Sequence, residues 1–246
     1  MSENFDALAI LWPQFVDGIV VTLQLTVGGS ALALAIAVLL GLTARHHNVV
    51  ARGAARVVIE FFRGTSLLVQ LFFLFYVVPL AFPDLYANRE VAGLVSGIVG
   101  LGLNYGAYGA EVVRGAINAV PRGQWEASIA LSLSPTRRLF RVVWPQAWAI
   151  MIPSLSNLGI MLLKGTAVAY LLFMHDITFV ANVLRQRTND TFFAYGTAMV
   201  IYFVIAYILV VVANWGEARA KRRLGVEQPT TSIFRPRAAK SGAVSS

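Results

Sequence analysis

Five ionisable side chains sit inside long apolar stretches of this sequence: Glu60, Arg63, Glu111, Arg114 and Lys164. A charge at the centre of a bilayer costs roughly 2.5–3.5 kcal/mol on insertion scales, so each of them needs a partner or water. Glu60 with Arg63, and Glu111 with Arg114, are spaced so that acid and base share one helical turn. At a common depth near one end of their spans, the two pairs either stay within their helices as a static cluster or exchange partners across helices as a gate. Lys164 lies about 17 residues, or ~25 Å, beyond Ala147, too deep to snorkel easily to the surface at the Ala147 end. An ammonium there either braces the spans or attracts a carboxylate-bearing solute, with Gly165-Thr166 loosening the helix beside it. Gln70, Asn104, Tyr105, Tyr108, Asn157 and Thr166 fall nearer mid-membrane, where polar groups line a path or hydrogen-bond neighbouring helices.

Patterns for covalent chemistry are missing. With no Cys there is no thiolate nucleophile or thiolate metal site. The nearest approach to a phosphate-cradling Gly-x-x-x-x-Gly-Lys-Ser/Thr, Gly159 to Lys164, lacks the second Gly and lies in an apolar run. His46 and His47 are adjacent and His175 stands alone, so no zinc-type spacing exists and no metal site is expected. There is no Gly-x-Ser-x-Gly, and no span carries paired carboxylates. The chain is expected to be no enzyme and to hold no cofactor of its own.

The elements that position these residues follow from composition: 57% hydrophobic and only 13% charged residues, against about 25% charged in soluble chains. Five runs exceed the roughly 20 residues that cross ~30 Å of hydrocarbon: Ile19 to Leu42, Val57 to Phe82, Val91 to Val113, Ala147 to Phe173 and Phe192 to Trp215. The expectation is an all-α, five-span, multi-pass membrane domain over residues 19–216. It is preceded by an external segment, 1–18, and followed by a basic, disordered tail, 217–246. Sixteen of the 20 basic residues fall on one side of such a bundle, three (Arg89, Arg185, Arg187) on the other, and Lys164 within a span. The positive-inside rule then puts the N-terminus outside and the C-terminus in the cytoplasm. The net charge of +8 is explained by an anionic leaflet, membrane lipid being the partner and nucleic acid not. Gly93, Gly97, Gly102 and Gly106 give the third span close-packing positions. Five spans do not divide into paired inverted halves, which counts against a self-sufficient ion-coupled carrier.

One cytoplasmic loop, 118–146, is as long as a span yet amphipathic. Gln124 to Leu133 reads as a helix with Trp125, Ile129 and Leu133 on one face and Glu126 in its first turn, ended by Ser134-Pro135. Thr136 to Val143 reads as a second short helix carrying Arg137, Arg138 and Arg141. Together they offer a knob with an apolar face and a charged shoulder to a cytoplasmic partner.

Here the chain resembles a known family. Glu126-Ala127-Ser128, then Ser132 and Pro145, is similar to the Glu-Ala-Ala, Gly, Pro loop of the membrane subunits of ATP-binding-cassette importers; Ser128 stands for the second Ala, Ser132 for Gly, and Trp144 where Leu is commoner. Glu60 to Gln70, Gly106 to Gln124 and Lys164-Gly165-Thr166-Ala167 resemble signatures of the polar amino acid uptake branch, within which the chain looks most like permease subunits for ectoine and hydroxyectoine. The resemblance implies a type I importer permease (MetI-like) fold in a bacterial inner membrane. It implies a coupling surface made of Gln124, Trp125, Glu126, Ala127, Ser128, Ile129, Ser132 and Pro145, seated in a groove of an ATPase. It also implies a cytoplasmic ATPase dimer holding the ATP and Mg, a second permease subunit, as a heterodimer rather than a homodimer, and an external solute-binding protein. The solute is expected to be ectoine or hydroxyectoine, the alternative being a polar amino acid such as glutamine, histidine or arginine.

Overall fold

A computed structural model of the chain describes residues 2–83 and 88–223, and every element among them is helical. We label them α1 (Ser2–Thr43), α2 (Val49–Gly64), α3 (Leu67–Ala81), α4 (Arg89–Ala119), α5 (Arg122–Ala130), α6 (Pro135–Leu172), α7 (Ile177–Thr188) and α8 (Thr191–Arg223). Four of these helices, α1, α4, α6 and α8, are long and apolar enough to cross a membrane; the bent pair α2 and α3 counts as a fifth.

The bundle is organised by α4 lying along α1. Glycines allow the backbones to approach: a Cβ on Gly106 would stand 2.8 Å from Ile36 and 3.1 Å from the Ala33 carbonyl, and one on Gly41 would stand 2.9 Å from the Ala110 carbonyl. The expected close-packing role of Gly93, Gly97, Gly102 and Gly106 is realised, each meeting a side chain of a neighbouring segment. Leu25, Leu101 and Leu162, from α1, α4 and α6, close one core cluster; Val113, Ile117, Val143 and Met151 close another nearer the α5 end.

The element boundaries depart from expectation in four places. The first helix does not begin at residue 19. It runs back to Ser2, because Leu11 and Phe15 are fully buried and pack with α7 and α8 residues. The second span is not continuous: α2 stops at Gly64, Thr65 and Ser66 are extended, and α3 leaves at 102°. The second loop helix and the fourth span form one helix, α6. Pro145 lacks the N–H an α-helix needs, and the preceding turn, Leu139–Val143, is widened to π geometry. The same device, Phe73–Val77, precedes Pro79 in α3. Finally, the segment between the last two spans contains α7, which was not expected. Asp176 caps its start, and Ile177, Val180, Ala181 and Leu184 form its buried face.

The basic tail is helical as far as Arg223. The rest of the expected tail, including Arg235, Arg237 and Lys240, lies outside the described residues.

Candidate functional site

The break in the second span exposes backbone carbonyls, and three of the polar side chains expected at mid-membrane, Gln70, Asn104 and Tyr108, gather there. Phe62 O accepts hydrogen bonds from Gln70 Nε2 and Asn104 Nδ2, both at 3.0 Å, and Arg63 O accepts one from Tyr108 at 3.3 Å. Gln70 Nε2 also donates to Thr65 Oγ1 at 2.7 Å, and Asn104 Nδ2 to Gln70 Oε1 at 3.3 Å. Gln70 and Asn104 are buried, so the cluster acts as a clamp that makes the bend tolerable in an apolar setting.

The charged pairs stay within their own helices. Arg63 meets Glu60 at 3.2 Å, and Arg114 Nε meets the Glu111 carboxylate at 3.0 and 3.1 Å. The Arg63 guanidinium also lies 5.4 Å from the centroid of the Tyr108 ring, tying α2 to α4. No exchange of partners between the two pairs is present in this conformation.

Lys164 is exposed on α6 in line with Asn157 and Met161, which are also exposed. This face, which the chain itself leaves uncovered, has Tyr105 beside it: its hydroxyl donates to Met161 O at 2.9 Å and packs close against Gly165. Immediately after Thr166 the α-helix tightens into 3₁₀ geometry, Ala167–Leu172. Thr166 itself is fully buried, with its hydroxyl donating to Leu163 O at 2.6 Å. A separate cleft of about 310 Å³ between α1, α4 and α6 is lined mainly by apolar side chains, and Tyr105 is the one candidate that reaches it.

The loop knob is built differently from its expected amphipathic face. Trp125 turns inward among the core residues of α4 and α6, and Ser128 follows it, donating to Trp125 O at 2.6 Å. Ile129 and Leu131 stand outward, 55% and 73% exposed, with Glu126, Ala127 and Gln124 also exposed. The helix ends where Ser132 takes a left-handed conformation, φ 54°, and Leu133 N–H returns to Ser128 O at 3.1 Å. That conformation suits glycine, the residue that stands at this place in the motif the loop resembles. Gln146 Nε2 donates to Gln124 Oε1 at 3.4 Å, linking the knob to the start of the α6 span just after Pro145.

Sequence reasoning missed Asp176. Its carboxylate is fully buried, accepts from Phe179 N at 2.9 Å and from the Tyr202 hydroxyl at 3.2 Å, and has no cation beside it among the described residues. Thr178 shares a 3.2 Å hydrogen bond with Tyr202, and the Thr22 and Thr166 hydroxyls adjoin the same phenol, so α1, α6, α7 and α8 meet in one polar knot. Burial pushes the Asp176 carboxyl up to about 6, against the opposing pull of these hydrogen bonds. The signal was present: an Asp immediately before apolar residues at helical spacing.

Comparison with known proteins adds three findings. The model of a family described as the inner membrane component of binding-protein-dependent transport systems matches residues 33–225. A probable amino-acid ABC transporter permease protein of Sinorhizobium fredii is 42% identical over 77% of this chain and 79% of its own length, and an L-cystine transport system permease protein of Bacillus subtilis is 34% identical over 86% and 88%. A crystal structure of an amino acid ABC transporter with histidines superposes with a TM-score of 0.77 at 28% identity, over 87% of this chain and 98% of that one.

Proposed function

The chain belongs to the family of inner membrane components of binding-protein-dependent transport systems, and from that premise we propose that it is the permease through which such an importer passes a polar amino acid. As a member it is a multi-pass inner-membrane subunit of an ABC transporter and not an enzyme, ATP hydrolysis residing on a separate subunit. Membership also implies an ATPase and an external binding protein as partners. The proposal adds that ATP and Mg are held by an ATPase dimer, that a second, different permease subunit completes the pair, and that the basic side of the bundle faces the cytoplasm.

The observation that carries the proposal is the loop knob. Glu126, Ala127 and Ile129 point outward on a helix fixed from behind by Trp125 and Ser128. A rigid, outward-facing surface at the end of the continuous helix that begins at Pro135 is what a partner needs in order to move the spans. The exposed Asn157, Met161 and Lys164 face supports a solute path completed by the second permease, with Lys164 offering an ammonium to a carboxylate.

The relatives' names speak of amino acids and of L-cystine, and ectoine is in none of them, so the ectoine reading gives way to its alternative. The experiment is ATP-dependent uptake by the assembled importer over a panel of cystine, arginine, glutamine, histidine and ectoine. One of the amino acids is expected to be taken up best, with Lys164→Met depressing its uptake while assembly is kept. Preference for ectoine over all four would contradict the proposal.

A further inference from the structure

A second cavity, of about 550 Å³, opens between the end of α1 and the elements α5 and α6. Its polar wall is made of Arg45, His46, His47 and Thr136, and among the described residues no Asp or Glu lines it. The other wall is apolar, formed by Leu42, Ile117, Leu139 and the 54% exposed Phe140. We propose that this cavity is a binding site for an anionic phospholipid, its phosphodiester headgroup held by Arg45 and the histidine pair and an acyl chain lying along the apolar wall.

Arg45 is the one arginine among the described residues that lines this cavity. Arg63 and Arg114, which lie toward the same end of the bundle, each have a glutamate on their own helix, whereas Arg45 has no acid partner among the ion pairs of the described residues. Its guanidinium lies over the Trp125 ring, 5.5 Å from the centroid. Desolvation there and the nearby Arg114 charge hold it below the ordinary arginine value, and the opposite charge of an anion in the cavity would offset both. The α1 C-terminal carbonyls of Leu40, Leu42 and Thr43 accept the N–H groups of Ala44, Arg45 and His46.

His46 is placed as a donor. His46 Nδ1 accepts from Asn48 N at 3.2 Å, which leaves Nε2 as the N–H of the neutral ring. The His47 ring lies beside it, tilted by 38°, with centroids 4.2 Å apart. A guanidinium and ring N–H donors facing one space, without a carboxylate, fit a phosphate oxygen cluster. The adjoining apolar wall is what separates a lipid from free phosphate, and basic pockets among transmembrane helices at this level are where acidic headgroups lodge. Because Trp125 belongs to both the cavity and the knob, an occupied cavity would stiffen the surface that the proposed ATPase grips. Only the assignment to the inner leaflet rests on the orientation proposed above.

The test is native mass spectrometry of the purified, delipidated chain in detergent, titrated with dioctanoyl phosphatidylglycerol, dioctanoyl phosphatidylcholine and inorganic phosphate. It reads binding without transport, so it stands or falls independently of the importer reading. One phosphatidylglycerol per chain is expected to bind saturably, at least tenfold more weakly in Arg45→Gln and in the His46→Gln, His47→Gln double variant. Arg137→Gln, which removes an equal charge outside the cavity, should leave binding unchanged. Equal binding of phosphatidylcholine, or equal losses in Arg45→Gln and Arg137→Gln, would overturn the site. Displacement of the lipid by inorganic phosphate at comparable concentration would overturn the lipid assignment in favour of free phosphate.

Discussion

Glu126 is the residue on which the proposed coupling turns most directly, since it is exposed on α5 and takes part in no ion pair among the described residues. Reversing its charge should disturb a docked partner far more than folding. Glu126→Lys is expected to insert and purify normally while ATP-driven uptake falls more than tenfold and the ATPase no longer co-purifies. Unchanged uptake with unchanged co-purification would show that the knob is not the coupling element. Asp176 lends itself to a prediction about pH. Its folded-state value of about 6, against 3.8 for the free group, means that the folded chain holds the proton more tightly than the unfolded one. Stability from this group is therefore full below about 4, declines as pH rises between those values, and is lost above about 6, a difference on the order of 3 kcal/mol. Asp176→Asn keeps a capping acceptor without the charge, so its thermal midpoint should exceed that of the parent at pH 7.5, and the fall in midpoint between pH 5 and 7 should flatten. A parallel pH profile in the variant would mean that the carboxylate is not the group that titrates. Of these two residues only Glu126 was legible in the sequence, because it sits in a recognisable run. Asp176 drew no notice because its charge lies between spans, and its burial is produced by α1, α6 and α8 packing around it.

At the scale of elements, hydropathy located the spans but not their ends or breaks. The bend after Gly64 was hidden because residues on both sides of it are apolar, and what permits it is tertiary: side chains on α4 and α3 that donate hydrogen bonds to the freed carbonyls. Asn104→Leu preserves bulk and removes the bonds to Phe62 O and to Gln70 Oε1, so the purified chain should lose about 1–3 kcal/mol of stability. Thermal midpoints of Asn104→Leu, Gln70→Leu and the double variant form a cycle that checks this. The two changes should be strongly non-additive because both side chains serve Phe62 O, and simple additivity would contradict a shared clamp. The helix α7 was missed for a different reason. Its apolar positions recur at helical spacing, but 12 residues are too few to register as a span, and its polar face carries Arg185 and Arg187, which read as loop. The knob contains a helix, Arg122–Ala130, close to the expected Gln124 to Leu133, but its faces differ: period four predicts that Trp125 and Ile129 share a face, whereas the surrounding core takes Trp125 and Ser128 and leaves Ile129 exposed.

For the molecule as a whole, the basic residues supply an orientation that the fold by itself does not. His175 is exposed between α6 and α7, and Thr136 is exposed beside the knob, at opposite ends of α6. Because the chain has no Cys, His175→Cys and Thr136→Cys can be labelled without background. An impermeant maleimide applied to intact cells should react at position 175 alone, and reaction at 136 would reverse the bundle. The central claim, that this chain moves an amino acid only as part of an ATP-driven assembly, is tested by uptake into proteoliposomes. The chain is reconstituted with its companion permease, ATPase and binding protein, with each omitted in turn and with ATP or an imposed ion gradient as the energy source. The account predicts accumulation of a polar amino acid that requires ATP, the ATPase and the binding protein together; accumulation by this chain alone under an ion gradient would contradict it.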